Sequence, residues 1–210
     1  MTKAPILLVG AGGHARSCID VIEREGSFAV AGLIGLPHEV GCRVLGYPVL
    51  GTDATLPDML REYPIAFVSI GQIETPEPRL RIFSLLQQSG NELPVIVSPL
   101  AYVSNHATLG AGTIVMHGAV VNAGAVVGRN CIINSRALVE HDAAIADHCH
   151  IATAAVINGG VHIGAGTFVG SNSTVRQCVR IGERCLIGMA QVLLSDCEAG
   201  TSRPPLKRSN

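Results

Sequence analysis

The chain has 210 residues, a formal net charge of −1 and no tryptophan; 48% of it is hydrophobic and only 3% aromatic. That length fits one large or two modest domains. Near-neutral charge removes the electrostatic case for nucleic acid, and no apolar run approaches the roughly 20 residues of a membrane span.

The opening Met-Thr-Lys-Ala-Pro is too short and wrongly flanked for a signal peptide, so the expectation is a cytoplasmic protein with no membrane partner. Ile6-Leu7-Leu8-Val9 reads as a short buried strand. Gly10-Ala11-Gly12-Gly13-His14 reads as a turn, and Ala15 to Arg24 as an amphipathic helix ended by Gly26. Phe28 to Ile34 is a second strand and Ile65 to Ile70 a third, followed by Gly71-Gln72 and a loop with Pro76 and Pro78. Arg79 to Gln88 is a helix stopped by Gly90, and Val95-Ile96-Val97 a last strand. Alternating strands and helices predict a Rossmann-like α/β half domain over residues 1–98, joined to the rest of the chain at Pro94, Ser98 and Pro99.

A glycine-rich turn between strand and helix exposes N–H groups beside the positive end of a helix, a seat for phosphate. Gly10, Gly12 and Gly13 supply the turn, and His14 can add a hydrogen bond. The motif lacks the full spacing and acidic ribose clamp of a dinucleotide fingerprint, so a ligand-free tight turn reads equally well from it alone. Gly71 and Gln72 fall at the same strand-end edge, which tilts the reading toward a nucleotide site.

From Val103 to Leu193 an aliphatic residue falls on every sixth position, sixteen times without a skip. Neither a helical nor a strand period explains this, so it is a repeat. Hexads of this kind wind into a parallel β-helix with three flat faces per 18-residue coil. Small residues such as Ala119, Ala125, Cys131 and Ala137, two positions earlier, fit the corners. A little over five coils at roughly 4.8 Å spacing make a shaft about 25 Å tall. The β-helix is expected over residues 99–194, with an irregular C-terminal tail over 195–210.

Seven cysteines (Cys18, Cys42, Cys131, Cys149, Cys178, Cys185 and Cys197) show no zinc spacing and are all read as structural. A reducing cytosol argues against a bond between Cys131 and Cys149, one coil apart. Of the histidines in the repeat, His106, His117, His148 and His162 read as surface residues. Glu140-His141-Asp142 places an imidazole between two carboxylates, beside a column of Asn122, Glu140 and Asn158 one coil apart. A carboxylate on one ring nitrogen fixes the tautomer and raises basicity at the other, which is what a general base needs. His150, half a coil later, faces another side of the shaft. It can share a site with His141 only across an interface between two shafts.

The Gly-Ala-Gly-Gly-His turn, the Gly-Gln strand end, the sixteen hexads and the stretch Ile-Ile-Asn-Ser-Arg-Ala-Leu-Val-Glu-His-Asp together resemble bacterial nucleotide-sugar acetyltransferases of the NeuD/PglD type, over about residues 5 to 193. The resemblance implies a homotrimer of left-handed β-helices with acetyl-CoA between adjacent shafts and the nucleotide sugar on the N-terminal domain. The left hand comes from the resemblance, since the general crossover rule predicts the opposite. It further implies His141 as general base with Asp142 orienting it, Glu140 and Asn134 lining the sugar site, and His150 meeting the thioester acetyl group. The Asn158-Gly159-Gly160 turn is placed to offer an oxyanion N–H. No metal is expected.

Two departures stand out. Leu33-Ile34-Gly35-Leu36-Pro37 offers none of the acidic residues that commonly contact the nucleotide in this family, and the tail lacks the usual Gly-x-Pro-Ala-Lys end. Arg203, Lys207 and Arg208 read first as a solvated tail, with contact to coenzyme A phosphates as the alternative. The resulting expectation is N-acetylation of a UDP-linked amino-dideoxy sugar in glycan or surface-polysaccharide synthesis. O-acetylation of sialic acid or a related nonulosonic acid is the alternative. A zinc hydratase, as in trimeric β-helix carbonic anhydrases, and a non-catalytic trimerising scaffold are the readings from other classes.

Overall fold

The computed structural model describes residues 3–203. The chain divides into two compact units, Met1–Gly71 with Glu77–Pro99, and Gln72–Pro76 with Leu100–Asn210. Gln72–Pro76 thus leaves the first unit and joins the second.

The first unit is a sheet flanked by helices. Its elements are β1 (Ala4–Val9), α1 (Gly13–Glu25), β2 (Phe28–Ile34), β3 (Arg43–Val44), β4 (Tyr47–Gly51), α2 (Leu56–Glu62), β5 (Ala66–Val68), α3 (Glu77–Gln88) and β6 (Ile96–Val97). The sheet order is β3-β4-β2-β1-β5, parallel except for the β3–β4 hairpin. β1 and β2 form the centre because Ile6, Leu7, Leu8, Leu33 and Ile34 are apolar on both faces, as a strand covered on both sides requires. On one face Leu7, Val9 and Ile34 pack with Leu56 and Leu60 of α2 and Ile82, Phe83 and Leu86 of α3. α1 buries Ala15, Cys18, Ile19, Val21 and Ile22, and stops at Gly26, whose left-handed backbone (φ 84°) lets its N–H reach the carbonyl of Ile22. β3, β4 and α2 go beyond the elements read from the sequence.

The second unit is the hexad repeat wound into a left-handed β-helix. Two-residue strands pair in parallel with those 18 residues on, as Val121 does with Val139 and Val139 with Ile157. Within this unit the three stacked faces begin at Tyr102–Val103, Thr108–Leu109 and Ile114–Val115. Every sixth-position aliphatic from Val115 to Leu193 is buried; Val103 and Leu109, in the first coil, are half-buried. Ala119, Ala125, Cys131, Ala137, Ala143, Cys149 and Ala155 are buried at the corners.

The tail expected to be irregular from residue 195 carries one more partial coil. Cys197 bridges to Ile181, and Ser202–Arg203 pairs with Leu186–Ile187. These pairings are 16 residues apart, so the last coil is two residues short of the hexad period and escapes a count of sixes. Lys207 and Arg208 lie outside the described residues.

All seven cysteines are free thiols. Cys18, Cys131, Cys149, Cys185 and Cys197 are buried; burial pushes the Cys18 thiol up to about 12 against the lowering effect of the Arg79 charge. Cys42 and Cys178 are exposed, which corrects the reading of every cysteine as a packing residue.

Candidate active site

Glu140, His141 and Asp142 occupy the turn between the strands Leu138–Val139 and Ala144–Ile145, the corner between the first and second faces. Val139 and Ile145 anchor this turn in the shaft, so its polar residues point outward. Asp142 has a left-handed backbone (φ 58°), a conformation that Asp tolerates better than most residues. His141 Nδ1–H donates to Asp142 Oδ2 at 2.9 Å. Because an ionised carboxylate only accepts, that bond leaves the proton on Nδ1 and the lone pair on Nε2. The Asp142 hydrogen bond raises the His141 pKa above the ordinary histidine value, with the charges of Asp142 and Glu140 adding to it and desolvation opposing.

Glu140 is tied down in turn. Its Oε2 accepts from Asn122 Nδ2 at 2.9 Å, one coil earlier, and from the His141 backbone N–H at 3.2 Å. Asn158, one coil later, donates to the carbonyl of Val175 at 2.7 Å. Gly159 lies against the imidazole: a Cβ there would sit 2.7 Å from both Cε1 and Nε2 of His141. The two glycines expected to offer an oxyanion donor differ. Gly160 N–H is spent on the carbonyl of His141 at 3.0 Å, whereas Gly159 N–H has no acceptor among the described residues. Gln177 and Cys178 complete an open groove of about 620 Å³ around His141. Neither was singled out for the site from the sequence, though stepping 18 residues twice from Asp142 passes through Gly160 and arrives at Cys178.

Asn134, His150 and Gln72 form a separate cluster on the third face. Ser135 N–H donates to Asn134 Oδ1 at 2.7 Å, which fixes the carboxamide, and Asn134 Nδ2 donates to His150 Nε2 at 3.0 Å. His150 Nδ1–H donates to the carbonyl of Gln72 at 2.6 Å, and the Gln72 amide donates to that of Gly166 at 3.2 Å. A carbonyl cannot donate, so the network sets a neutral imidazole with its proton on Nδ1. Phe168 packs edge-on against the ring, and His150 is buried. Both ring nitrogens therefore have partners within the chain, and Asn134 sits with His150 rather than with Glu140.

Gly10, Gly12, Gly13, His14 and Gly71 come together in the first unit. Gly10 is demanded by packing: its φ is 123°, and a Cβ would lie 2.6 Å from Ile70 Cγ1. A Cβ on Gly71 would lie 3.4 Å from that of His14. Gly12 and Gly13 are different, because a Cβ on either would meet nothing within 4 Å. Packing within the protein therefore does not demand glycine at those two positions. An acidic residue does reach the end of β2. The 3-10 turn Pro37–Glu39 folds Glu39 back so that Oε2 accepts the Leu36 N–H at 2.7 Å, beside Gly35 and Ala11. Glu39 lies two residues beyond the stretch in which the sequence shows no acid.

The model of the PglD N-terminal domain matches residues 5–85, and that of the bacterial transferase hexapeptide (six repeats) matches residues 160–189. Perosamine N-acetyltransferase from Caulobacter crescentus, solved as a mutant with CoA and GDP-perosamine, is 31% identical with a TM-score of 0.89, covering 100% of this chain and 98% of its own. The chain belongs to the NeuD/PglD-type family of bacterial sugar acetyltransferases. As a member of this family it is an acyltransferase that uses acetyl-CoA. The acetyltransferase domain of PglB from Neisseria gonorrhoeae, also solved with acetyl coenzyme A, is similar at 29% identity and a TM-score of 0.87, covering 95% of this chain and 96% of that one. WeeI from Acinetobacter baumannii, at 18% identity and a TM-score of 0.74 over 96% of each chain, shares the fold. No curated protein matches the chain significantly. Among the described residues no helix is long and apolar enough to cross a membrane, and no three His, Cys, Asp or Glu side chains converge as a metal site would need.

Proposed function

We propose that the chain acetylates the amine of a nucleotide-linked amino-dideoxy sugar, with His141 as the general base. The observation that carries this is the His141–Asp142 hydrogen bond, which leaves Nε2 as an unprotonated acceptor in an open groove. The sugar nitrogen attacks the thioester carbon and passes its proton to Nε2; the C–S bond then breaks, and the imidazolium returns that proton to the departing thiolate, giving coenzyme A thiol and neutral His141. No Ser neighbours His141, and Cys178 lies two coils along, so direct attack needs no acyl-enzyme. Gly159 N–H, beside the imidazole, supplies a donor for the developing oxyanion.

Each substrate has its own place in this reading. The open backbone over Gly12 and Gly13, with His14 and Gly71 alongside, seats the nucleotide diphosphate. The carrier expected from the family resemblance is UDP; the Caulobacter relative was solved with GDP-perosamine, so both belong in the assay. That relative was solved with CoA and the nucleotide sugar in variants that replace a histidine by Asn or by Ala, in keeping with a histidine base.

Acetyl-CoA runs along the second face, where a largely apolar groove of about 770 Å³ passes Val126, Ala144 and His162 to Arg180. The outward residues of the first face, Tyr102, Val120, Leu138, Val156 and Val192, form a mostly apolar column interrupted by Thr174, which suits burial against a second shaft in a homotrimer. Asn134 and His150 belong to the sugar and acetyl subsites through that neighbouring shaft, with Gln72 holding the imidazole. The role in cytoplasmic polysaccharide synthesis follows from the substrate class.

Thiol release from acetyl-CoA tests the proposal. The acceptors are UDP- and GDP-linked 4-amino-dideoxy sugars, their 3-amino and dTDP counterparts, and free sialic acid. Fast release with one nucleotide-linked amino sugar is the expected result; turnover with sialic acid alone overturns it in favour of O-acetylation.

A further inference from the structure

β5 is the edge of its sheet, and its backbone polar groups alternate in direction. On the β1 side, Leu7 N–H bonds the carbonyl of Ile65 at 3.0 Å and Ser69 N–H bonds that of Val9 at 2.9 Å. On the other side, Ala66 N–H bonds the carbonyl of Glu92 at 3.0 Å, and the pairing there is only an isolated bridge between Ile65 and Glu92. Residues 68 and 70 share the direction of residue 66, so their carbonyls point past the end of that bridge. Buried carbonyls need donors, and Arg79 provides them. Its Nη1 donates to Val68 at 3.1 Å and to Ile70 at 2.5 Å, from a side chain on the first turn of α3 that is 1% exposed. The guanidinium takes the place of a missing strand.

What Arg79 holds is one wall of the glycine turn. Between the two carbonyls it binds, Ser69 Oγ donates to the carbonyl of Gly10 at 2.7 Å. Ile70 is the residue that a Cβ on Gly10 would strike, and Gly71 lies against His14. Burying a guanidinium is costly, and a cheaper apolar residue would fill the space but leave two carbonyls unmet.

We infer that Arg79 is a positioning residue for the nucleotide-sugar half of the reaction, setting the Ser69–Gly71 wall against which the Gly10–His14 turn is held. The inference rests on that turn being the nucleotide seat. Arg79 touches neither reacting atom, so its loss weakens capture of one substrate and spares the chemical step.

The test uses the full chain with Arg79→Met and Arg79→Lys, measuring steady-state kinetics for both substrates and calorimetric binding of GDP and UDP. Arg79→Met is expected to raise the nucleotide-sugar KM roughly tenfold or more, with kcat and the acetyl-CoA KM within about threefold of wild type. Arg79→Lys, which keeps a donor, should fall in between. An unchanged nucleotide-sugar KM in folded Arg79→Met overturns the inference, as does equal damage to both substrates, which a merely structural role produces. If Arg79→Met fails to fold, Arg79→Lys decides: without a selective rise in nucleotide-sugar KM the inference fails. Gly12→Val separates this from the reading beneath it. If Gly12→Val raises the nucleotide-sugar KM and the Arg79 variants do not, the Arg79 role fails and the seat stands. If neither does, the seat itself is wrong.

Discussion

Nδ1 of His141 lies 2.9 Å from Oδ2 of the very next residue, Asp142. Adjacent residues in a strand point to opposite faces, so this contact needs the turn in which Asp142 takes a left-handed backbone. The coil beneath makes room for it: Gly124, one coil earlier, has φ 74°, and a Cβ there would overlap Asp142 Oδ1.

Removing the proposed base is the direct test of mechanism. His141→Ala should lower kcat by about 10²–10⁴-fold, the usual worth of a positioned general base, while the melting temperature stays as in wild type. The ring is largely exposed, so no core packing is lost. Wild-type turnover would remove His141 from the mechanism.

The pH profile carries the signature of Asp142. A raised His141 pKa means that the base form appears at higher pH than for an ordinary histidine, so kcat/KM should climb through that raised value. Asp142→Asn removes the main cause. The climb should then shift to lower pH and the plateau should fall, because the base is weaker. The acceptor's own ammonium titrates identically in both enzymes, so the shift belongs to His141; superimposable profiles would count against the pairing.

Gly159→Ala should act on kcat alone. A methyl 2.7 Å from Nε2 pushes the imidazole out of its pose. A loss of at least about tenfold in kcat with both KM values retained is the expected pattern, since small misplacements cost reacting geometry heavily. A selective rise in one KM would place Gly159 in substrate binding instead.

The turn glycines should separate into two kinds. Gly10→Val overlaps Ile70 and forces a left-handed backbone on a β-branched residue, so it should destabilise the fold by about 1–3 kcal/mol or more. At Gly12 a Cβ would meet nothing within 4 Å, and the backbone has an ordinary φ of −75°. Gly12→Val should melt near wild type yet bind the nucleotide sugar poorly. Thermal melts with nucleotide-sugar KM values distinguish the two.

How much the sequence reveals depends on how far each constraint reaches along it. Each sixth aliphatic from Val115 to Leu193 faces the same dry shaft, so the period is written openly. Glu140-His141-Asp142 is contiguous and equally visible. The pairing of Asn134 with His150 is not, because 16 residues separate them in an 18-residue coil and the bond crosses diagonally. The β3–β4 hairpin is hidden for another reason. Its two-residue turn is Leu45-Gly46, both with positive φ, where Asn-Gly would have announced it. Gln72 reads as part of the N-terminal strand end, yet its carbonyl serves His150; only the folded chain shows that Gln72–Pro76 crosses over.

The 16-residue final coil has a consequence for life at high concentration. A stack of identical rungs is a template, and any further chain of the same period can add to its last rung as it would to a fibril. Here the last described rung is out of step with the hexads. It offers Ser202 and Arg203 where the coil before had Leu186 and Ile187. A strand arriving at that rung meets a serine and a charged arginine in place of two aliphatics, which disfavours edge-to-edge addition.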